Sequence, residues 1–364
     1  MKEGQKIMMI VQGEGRGHLS QAIAMKEILE NQGFIIVSVI TGKSFSRKIP
    51  DYFFQAFQNE VVQIESPGLV LSHDLKKVLL FKTFIINLLR IPFYLRQVRV
   101  IHREYQRAQP DLILNFHEIL CGFWYLFYKP GSLIVSIAHQ YIYYHYRFSY
   151  PRMPFLHKLS LELVNFFTTL GSKKRLALHF FQWDKLNRNK LLVMPPLIRK
   201  QIRELKSENQ HFILVYLLYP GLADDIRMLQ KKYPDAEFHV FWSKDDYTEN
   251  QRLRFLSFSQ ERFLDELQNC RMFLTTAGFE GIAESYYLGK PAGVVAVPNH
   301  PEQKVNASET ELSGAGKSYS QFKDIDIQEL NNLKYNNSQF RQWVDTGHEL
   351  FVNELKRLLV KHYK

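Results

Sequence analysis

A histidine follows a glycine-rich loop close to the start of the chain. The loop, between an apolar run at 6–12 and an amphipathic stretch at 19–31, has the sequence Gly13-Glu14-Gly15-Arg16-Gly17-His18. The apolar run predicts a strand and the amphipathic stretch a helix, so His18 would lie in the first helical turn at a strand's carboxyl end. Ligands of α/β proteins collect there, and a histidine can act as a general base near neutral pH. We therefore interpret His18 as the catalytic residue.

The glycines on either side of Arg16 favour this interpretation, because they let a ligand approach the backbone. Gly15, Arg16 and Gly17 are accordingly expected to contact a substrate. The alternative is that His18 only hydrogen-bonds the loop backbone at the start of the helix. If His18 is not the base, the next candidates are Glu14 and His117, both at expected carboxyl ends of N-terminal strands.

This loop does not have the spacing of a dinucleotide-binding fingerprint. The pattern Gly-x-Gly-x-x-Gly would require its third glycine where His18 stands, and the second strand ends in Thr41-Gly42 without an acidic residue. The sequence therefore disfavours a nicotinamide enzyme, and we expect no cofactor.

A second strand-turn-helix pattern lies in the C-terminal half. Its sequence is Thr275-Thr276-Ala277-Gly278-Phe279-Glu280-Gly281-Ile282-Ala283-Glu284. The N–H groups from Ala277 to Phe279 would receive a diphosphate at the positive end of the helix dipole. Glu284, on the same helix face as Glu280, is placed to accept both hydroxyls of a ribose. Glu280 itself is expected to be a solvated helix residue.

An acid and an amide follow the next expected strand, at 293–297. The segment after it has the sequence Pro298-Asn299-His300-Pro301-Glu302-Gln303-Lys304-Val305-Asn306-Ala307. Glu302 and Gln303 are the kind of pair that binds the hydroxyls of a sugar.

Neither a metal site nor a disulfide is indicated. Asp324-Ile325-Asp326 has the Asp-x-Asp spacing of some metal sites, but it precedes Gln328-Glu329-Leu330, where an aspartate is expected to cap a helix. The two cysteines, Cys121 and Cys270, are far apart in sequence and are expected to be buried apolar residues.

Together these motifs resemble those of the GT-B glycosyltransferases. The resemblance rests, in this order, on Gly15-x-Gly17-His18, Thr276-x-Gly278 to Glu284, Leu288-Gly289-Lys290-Pro291 and Glu302-Gln303-x-x-Asn306-Ala307. The chain looks most similar to the group that contains the lipid-linked N-acetylglucosaminyltransferase of peptidoglycan synthesis and the UDP-glycosyltransferases. The block from about 258 to 316 is the more specific part of the resemblance.

The resemblance implies a role for each motif. His18 matches a histidine proposed as base or acceptor contact, so its loop is on the acceptor side. The turn from Thr276 to Gly278 matches the diphosphate turn, and Glu284 matches the ribose ligand. Glu302 and Gln303 match the pair that recognises the donor sugar.

The backbone at Phe258 and Ser259 would match the edge that recognises the nucleotide base. The chain departs from the family at Tyr219-Pro220-Gly221, which lacks the usual Gly-Ser pair, and at Glu302, where many relatives carry aspartate. The resemblance therefore leaves the donor sugar open.

The elements that must position these residues fall into two sets. A length of 364 residues favours two domains. Alternating strand and helix patterns occupy both halves and are separated by a polar stretch that ends near residue 210. We predict an α/β protein with two tandem Rossmann-like domains facing a central cleft. The expected divisions are an acceptor-side domain at 1–195, a nucleotide-sugar-binding domain at 196–338 and a helix at 339–364 that packs back across the junction.

The net charge of +11 is compatible with nucleic acid, an anionic membrane or anionic small substrates. Basic residues are scattered rather than gathered with aromatics, which disfavours nucleic acid as a partner. The mean hydropathy is negative and no signal-like segment begins the chain, so a cytoplasmic protein is expected.

Two apolar regions of the N-terminal half each allow two interpretations. The region 78–101 carries Lys82, Arg90, Arg96 and Arg99 and would either lie in the interface of an anionic bilayer or pack into the core as a helix pair. The aromatic cluster from Tyr141 to Tyr150, beside His139, would either line an acceptor cleft or only pack.

The sequence thus predicts a metal-independent, inverting glycosyltransferase. It would move a sugar from a nucleotide donor, expected to be UDP-linked, to a hydroxyl acceptor, with a lipid-linked acceptor and a glycan both open. The alternatives are a nucleotide-sugar epimerase of the same fold and a non-catalytic module that binds the nucleotide sugar.

Overall fold

The computed structural model describes residues 4–45, 48–58, 61–184 and 190–363. It confirms the α/β class: the chain forms two compact units, each built on a seven-stranded sheet. Unit 1 comprises the described residues of Met1–Val70, Leu80–Arg199 and Trp343–Lys364, and unit 2 those of Leu71–Leu79 and Lys200–Gln342.

Unit 1 alternates strands and helices. Its elements, in chain order, are β1 (Lys6–Gln12), α1 (Arg16–Glu30), β2 (Ile35–Lys43), α2 (Asp51–Ala56), β3 (Val61–Glu65), α3 (Leu80–Leu89), α4 (Ile91–Ala108), β4 (Leu112–Phe116), α5 (Ile119–Tyr128), β5 (Leu133–Ala138), a 3₁₀ helix (His139–Tyr144), α6 (Phe155–Thr168), β6 (Lys174–Leu178) and β7 (Leu191–Met194).

The sheet of unit 1 is parallel, with strand order β3-β2-β1-β4-β5-β6-β7. Its central strands are buried on both faces, as expected for continuous apolar runs such as Ile7 to Val11. From β1 the chain first adds β2 and β3 on one side and then β4 to β7 on the other, so the switch point of the topology lies between β1 and β4. Ligands of open α/β sheets bind in the crevice at the carboxyl ends of such strands.

Unit 2 repeats this architecture. Its elements are α7 (Lys200–Glu204), β8 (Ile213–Tyr216), a 3₁₀ helix (Pro220–Leu222), α8 (Ala223–Lys232), β9 (Phe238–Trp242), β10 (Tyr247–Asn250), β11 (Leu253–Ser257), α9 (Gln260–Asn269), β12 (Met272–Thr276), α10 (Phe279–Tyr287), β13 (Ala292–Val295), α11 (Pro301–Ser313), β14 (Gly316–Tyr319), a 3₁₀ helix (Phe322–Asp324) and α12 (Ile327–Asn331). The chain then continues into α13 (Ser338–Asp345), where the unit boundary falls, and into α14 (Gly347–His362) of unit 1.

The second sheet has strand order β10-β11-β9-β8-β12-β13-β14. All its pairs are parallel except β10 with β11, which form an antiparallel hairpin at the edge. Its switch point lies between β8 and β12, so the loops after these strands flank the crevice that would hold a ligand. The two Rossmann-like domains predicted from the sequence are thus present.

The C-terminal segment differs from the single helix expected at 339–364. It forms α13 and α14, which meet at Thr346. Gly347 begins the second helix, where an added Cβ would lie 2.9 Å from Cγ of Pro195. Helix α14 belongs to unit 1 and contacts α1, β5 and β7.

A short segment of the N-terminal half was expected in the first domain but belongs to unit 2. Residues 71–79, hereafter the excursion hairpin, fold with unit 2. The N–H of Val78 donates to the carbonyl of Pro298 at 3.1 Å. Gly221, in the loop after β8, packs so closely against the carbonyl oxygen of Asp74 that a Cβ there would collide with it. The excursion hairpin therefore contacts the loops that follow β8 and β13.

Candidate functional site

The switch point of the first sheet contains the predicted base. Helix α1 begins at Arg16, with Gly15 as its N-cap in extended conformation, so His18 lies in the first turn as predicted. A Cβ added to Gly15 would meet nothing within 4 Å, which leaves open space in front of the loop. Gly13 is different, because its N–H donates to the carbonyl of Gly42 at 2.7 Å and no side chain fits there.

The imidazole of His18 is buried and held at one nitrogen. Nδ1–H donates to Oε1 of Gln21, one turn later in α1, at 3.1 Å. This bond places the proton on Nδ1 and gives Nε2 the lone pair. Burial lowers the pKa of His18 to about 4, although the hydrogen bond to Gln21 opposes the shift. The ring is therefore neutral at physiological pH and able to accept a proton.

A second histidine lies against the first. His117 follows β4, has a positive φ of 58° and stacks on His18 with ring centroids 5.3 Å apart. Its Nε2 is 2.9 Å from Oδ1 of Asn165. Burial and then the neighbouring His18 lower the pKa of His117 to about 3. The pair lies at the carboxyl ends of β1 and β4, the two strands that flank the switch point.

Two acidic residues border this crevice. Glu14 accepts a hydrogen bond from the N–H of Leu69 at 3.4 Å. Glu118, which the sequence analysis did not single out, is fully buried at the N-cap of α5, where Oε1 accepts from Oγ of Ser66 at 2.5 Å and from N–H of Leu120 at 3.0 Å. Burial raises the pKa of Glu118 to about 7. Its place between a strand and an apolar helix was the available signal in the sequence.

Histidines also follow the next two strands of the sheet. His139 comes directly after β5 and His179 directly after β6, with parallel rings whose centroids are 6.4 Å apart. Tyr141 is buried beside His117, with centroids 5.6 Å apart. Tyr141, the first residue of the aromatic cluster that was expected either to line an acceptor cleft or only to pack, thus packs against His117.

In unit 2, the predicted diphosphate turn lies between β12 and α10. Two of its three N–H groups already have acceptors: that of Ala277 donates to the carbonyl of Val295 at 3.2 Å, and that of Gly278 to Thr276 at 2.5 Å. In this conformation both amides donate within unit 2, and their contact with a diphosphate remains a prediction. Gly278 is the N-cap of α10, so the positive end of the helix dipole still lies at this turn.

Both glutamates of α10 are buried. Glu284 was predicted to be functional, and its side chain is nearly inaccessible to solvent. Glu280 was expected to be solvated, but it is buried as well, and that expectation is wrong. Burial of two carboxylates on one helix is costly unless each finds compensating interactions, which sets this helix apart from an ordinary surface helix.

The acid-amide pair begins α11, which starts at Pro301 with His300 as its N-cap. Glu302 is half-buried, whereas Gln303 is buried and its Oε1 accepts from the N–H of Val297 at 2.9 Å. Gln303 thus fixes the loop after β13 with one end of its amide.

Asn306, one turn further along α11, donates from Nδ2 to the carbonyl of Ala277 at 2.9 Å. Because Ala277 lies in the diphosphate turn, this bond joins two of the motifs that were identified separately in the sequence.

The predicted base-recognition edge follows β11. Ser259 caps α9 by accepting from the N–H of Arg262 at 3.2 Å, and it is exposed. Phe258 is half-buried and packs against Tyr216, Phe241 and Phe263. Both residues lie at the carboxyl edge of the sheet, as does the turn before α10.

The acidic segment 324–326 has the structural role that was expected of it. Asp326 caps α12 by accepting from the N–H groups of Gln328 and Glu329, at 2.9 and 3.1 Å. Among the residues that the structure describes, no three His, Cys, Asp or Glu side chains form a group that could hold a metal ion.

Comparison with known proteins supports the resemblance seen in the sequence. The model of glycosyl transferase family 1 matches residues 5–336. No curated protein matches the chain in sequence at a significant level.

Several solved structures share the fold. The glycotransferase of kitacinnamycin has a TM-score of 0.63 at 14% identity, covering 98% of this chain and 99% of its own. UGT89C1 of Arabidopsis thaliana, complexed with quercetin, has a TM-score of 0.61 at 12% identity, covering 99% and 100%. MurG of Acinetobacter baumannii has a TM-score of 0.53 at 14% identity, covering 97% and 99%. At these identities the likeness shows the fold alone.

Proposed function

The chain belongs to glycosyl transferase family 1, and on that premise we propose that it transfers a sugar from a UDP-linked donor to a hydroxyl acceptor with inversion and without a metal. The observation that carries the proposal is the neutral imidazole of His18, held by Gln21 at the switch point of unit 1. A neutral imidazole has a lone pair that can accept the proton of a hydroxyl nucleophile.

In the proposed reaction, Nε2 of His18 accepts the proton of the acceptor hydroxyl as its oxygen forms a bond to the anomeric carbon of the donor. The bond between that carbon and the diphosphate breaks, and the nucleoside diphosphate leaves with the electron pair. Attack opposite the leaving group inverts the configuration. A pKa near 4 makes His18 a weak base, and the negative charge of a bound donor would raise that pKa.

Unit 2 would bind the donor. The N-terminal end of α10, just after Gly278, offers its dipole to the diphosphate, in place of a metal ion. Glu284 would bind the ribose, Phe258 and Ser259 the base, and Glu302 with Gln303 the sugar. The bond from Asn306 to the Ala277 carbonyl would keep the diphosphate and sugar contacts in register.

UDP is proposed because of the family resemblance in the sequence. In support, LpCGTa, solved in complex with UDP, has a TM-score of 0.56 at 13% identity and covers 99% of both chains. UDP is the ligand of that protein, and UDP-sugars are therefore the first donors to test.

The experiment is a melting-temperature screen of the full chain with UDP-, dTDP- and GDP-sugars, followed by transfer assays with the sugar that stabilises it. We expect stabilisation by UDP-sugars and a glycosylated product that requires an acceptor. Interconversion of the nucleotide sugar without an acceptor would identify an epimerase, and stabilisation without any reaction would identify a binding module. Either result would refute the proposal.

We also propose that unit 1 docks on an anionic membrane through α3 and the start of α4. Helix α3 has no buried residue, and Phe81 and Leu89 are 80% and 74% exposed. Helix α4 differs from α3 because one of its faces is buried, with Tyr94, Val98 and Ile101 in the core. Helix α4 therefore packs into the core, whereas α3 has the exposed apolar surface expected of an interfacial helix.

Basic residues surround this surface. Lys82, Arg96 and Arg99 are exposed, whereas Arg90 is engaged by Glu65 at 2.7 Å. An open groove of about 1150 Å³ beside α4 is lined in part by Lys43, Lys48, Phe54, Leu89, Arg90, Phe93 and Arg96. Glu65 also lines the groove and pairs with Arg90, so Lys43, Lys48 and Arg96 are the cations that would bind an anionic lipid headgroup. None of the described helices is long and apolar enough to cross a bilayer.

A further inference from the structure

We infer that His117 binds a second hydroxyl of the acceptor through its Nδ1 atom, so that the acceptor is a molecule with two neighbouring hydroxyl groups, as on a sugar ring. This inference rests on the proposed function, because it places the acceptor at His18. It assigns a specificity-determining residue, and it narrows the acceptor from any hydroxyl compound to a polyhydroxylated one.

The hydrogen bonds around His117 determine which nitrogen carries its proton. Nδ2 of Asn165 donates to the carbonyl of Gln140 at 2.7 Å, which fixes the orientation of that amide. Oδ1 of Asn165 therefore faces Nε2 of His117 and must accept from it. The proton is on Nε2, and Nδ1 has a bare lone pair.

That lone pair has no hydrogen-bond partner within the described structure. Nδ1 of His117 is buried, and the residue as a whole is only 5% exposed. A buried acceptor without a partner destabilises the folded protein. A histidine with only a structural role would be expected to have both nitrogens satisfied or one of them in water.

The backbone of His117 adds a second cost. Its φ of 58° lies in the left-handed region, which non-glycine residues rarely adopt. Strained residues of this kind gather at ligand sites, where the surrounding structure holds a side chain in a defined place. Here both costs fall on one residue, at the switch point of the sheet and against the ring of His18.

The pair presents two hydrogen-bond acceptors. His18 has its proton on Nδ1 and His117 has its proton on Nε2, so each neutral ring keeps one lone pair. Because the ring centroids are 5.3 Å apart, a ligand that satisfies both lone pairs must bring two donors a few ångströms apart. Neighbouring hydroxyls on a sugar ring meet this requirement, while a phenol or a simple alcohol supplies one donor.

The first test is nitrogen NMR on the full chain with histidine labelled with nitrogen-15. The probes are trans-cyclohexane-1,2-diol and methyl glucopyranoside, with cyclohexanol as the control that has a single hydroxyl. His117→Phe assigns the resonances by their loss. We expect a bare Nδ1 in His117 and a bare Nε2 in His18, and a shift of the His117 Nδ1 resonance with the two polyols but not with cyclohexanol. A protonated Nδ1, or an equal response to cyclohexanol, would overturn the inference.

The second test uses transfer from the donor found in the melting screen. His117→Phe keeps the ring and loses the acceptor nitrogen, while His117→Asn keeps a polar atom at the δ position and tolerates a positive φ. We expect His117→Phe to raise KM for a sugar acceptor about 5- to 10-fold, and His117→Asn to raise it less. Removing the second hydroxyl from the acceptor should weaken binding to the wild type but not to His117→Phe.

If wild-type transfer shows the same KM for the acceptor with the second hydroxyl and the acceptor without it, the role of His117 is overturned and the proposed function stays intact. If no acceptor is glycosylated but the polyol-specific shift persists, the transferase proposal fails and His117 remains a polyol-binding residue.

Discussion

The side-chain amide of Asn306 donates to the main-chain carbonyl of Ala277 across 2.9 Å. The bond connects α11 to the turn before α10, and both residues are buried. One turn before Asn306 on α11, Gln303 holds the N–H of Val297. The loops after β12 and β13 are therefore fixed by two amides of one helix, which gives the candidate donor site a rigid base.

Glu284→Gln should weaken UDP binding by about 1–3 kcal/mol, because a charge-assisted hydrogen bond to the ribose is lost while side-chain volume is kept. Calorimetric titration with UDP measures the effect. Glu261→Gln, in the exposed first turn of α9, is the matched control and should bind UDP as the wild type does. Equal UDP affinity of Glu284→Gln and the wild type would remove Glu284 from the site.

His18→Ala should lower the transfer rate by roughly 10²–10⁴, the contribution of a positioned general base, and leave UDP affinity unchanged. Gln21→Leu removes the acceptor that orients Nδ1–H, so it should give a smaller loss in kcat with the same UDP affinity. Wild-type turnover by His18→Ala across the pH range would refute the assignment of the base.

Acid stability should depend on three buried groups of unit 1. The pKa values of His18 and His117 are lowered to about 4 and 3, so near pH 5.5 the unfolded chain binds close to two protons that the folded chain does not. Glu118, whose pKa is raised to about 7, retains one proton in the folded chain that the unfolded chain releases. The net difference is about one proton, so these groups make stability fall by about 1.4 kcal/mol per pH unit on acidification.

Glu118→Gln removes the opposing proton and should make this dependence about twice as steep. Urea unfolding of both proteins at several pH values between 4.5 and 6.5 measures the slopes. Parallel slopes for wild type and variant would show that Glu118 is ionised in the folded protein.

Transfer should continue in excess chelator, because the N-terminal end of α10 is proposed to stabilise the leaving diphosphate. The assay compares initial rates with and without EDTA, with added manganese as the third condition. Loss of activity in EDTA that manganese restores would contradict the proposed mechanism.

The protein should co-sediment with anionic vesicles at low salt and less at high salt, since each exposed basic residue near the surface contributes about 1 kcal/mol. Phe81→Ser with Phe84→Ser should reduce binding. The control is Met228→Ser with Leu312→Ser, which removes two exposed apolar side chains from unit 2. Equal binding by the two double variants would show that α3 is not the docking surface.

The fold was largely predictable because its central strands are buried on both faces and read as continuous apolar runs. The strand expected at 6–12 is β1, and the helix expected at 19–31 and the strand expected at 293–297 lie within a few residues of α1 and β13. Strands near the sheet edges, such as β3, β10 and β14, were not identified. They are four or five residues long and partly exposed, so they lack the apolar signal.

The candidate site was only partly predictable. His18 was identified because a glycine-rich loop and a helix start are local patterns. The stacking of His117 on His18 joins residues that are distant in sequence, and the local sequence does not show that this histidine adopts a positive φ. The burial of Glu280 was missed for a related reason, since helical periodicity does not show which face a neighbouring element covers.

The excursion hairpin bears on how this protein can be divided and recombined. Unit 2 is assembled from two separate stretches of the gene product, and the Asp74 carbonyl fills the space that Gly221 leaves open. A chimera that exchanged everything after residue 199 with a relative would set one parent's hairpin against the other parent's loops. A functional chimera therefore requires that residues 71–79 and the C-terminal module come from the same parent, or that both parents have glycine at position 221.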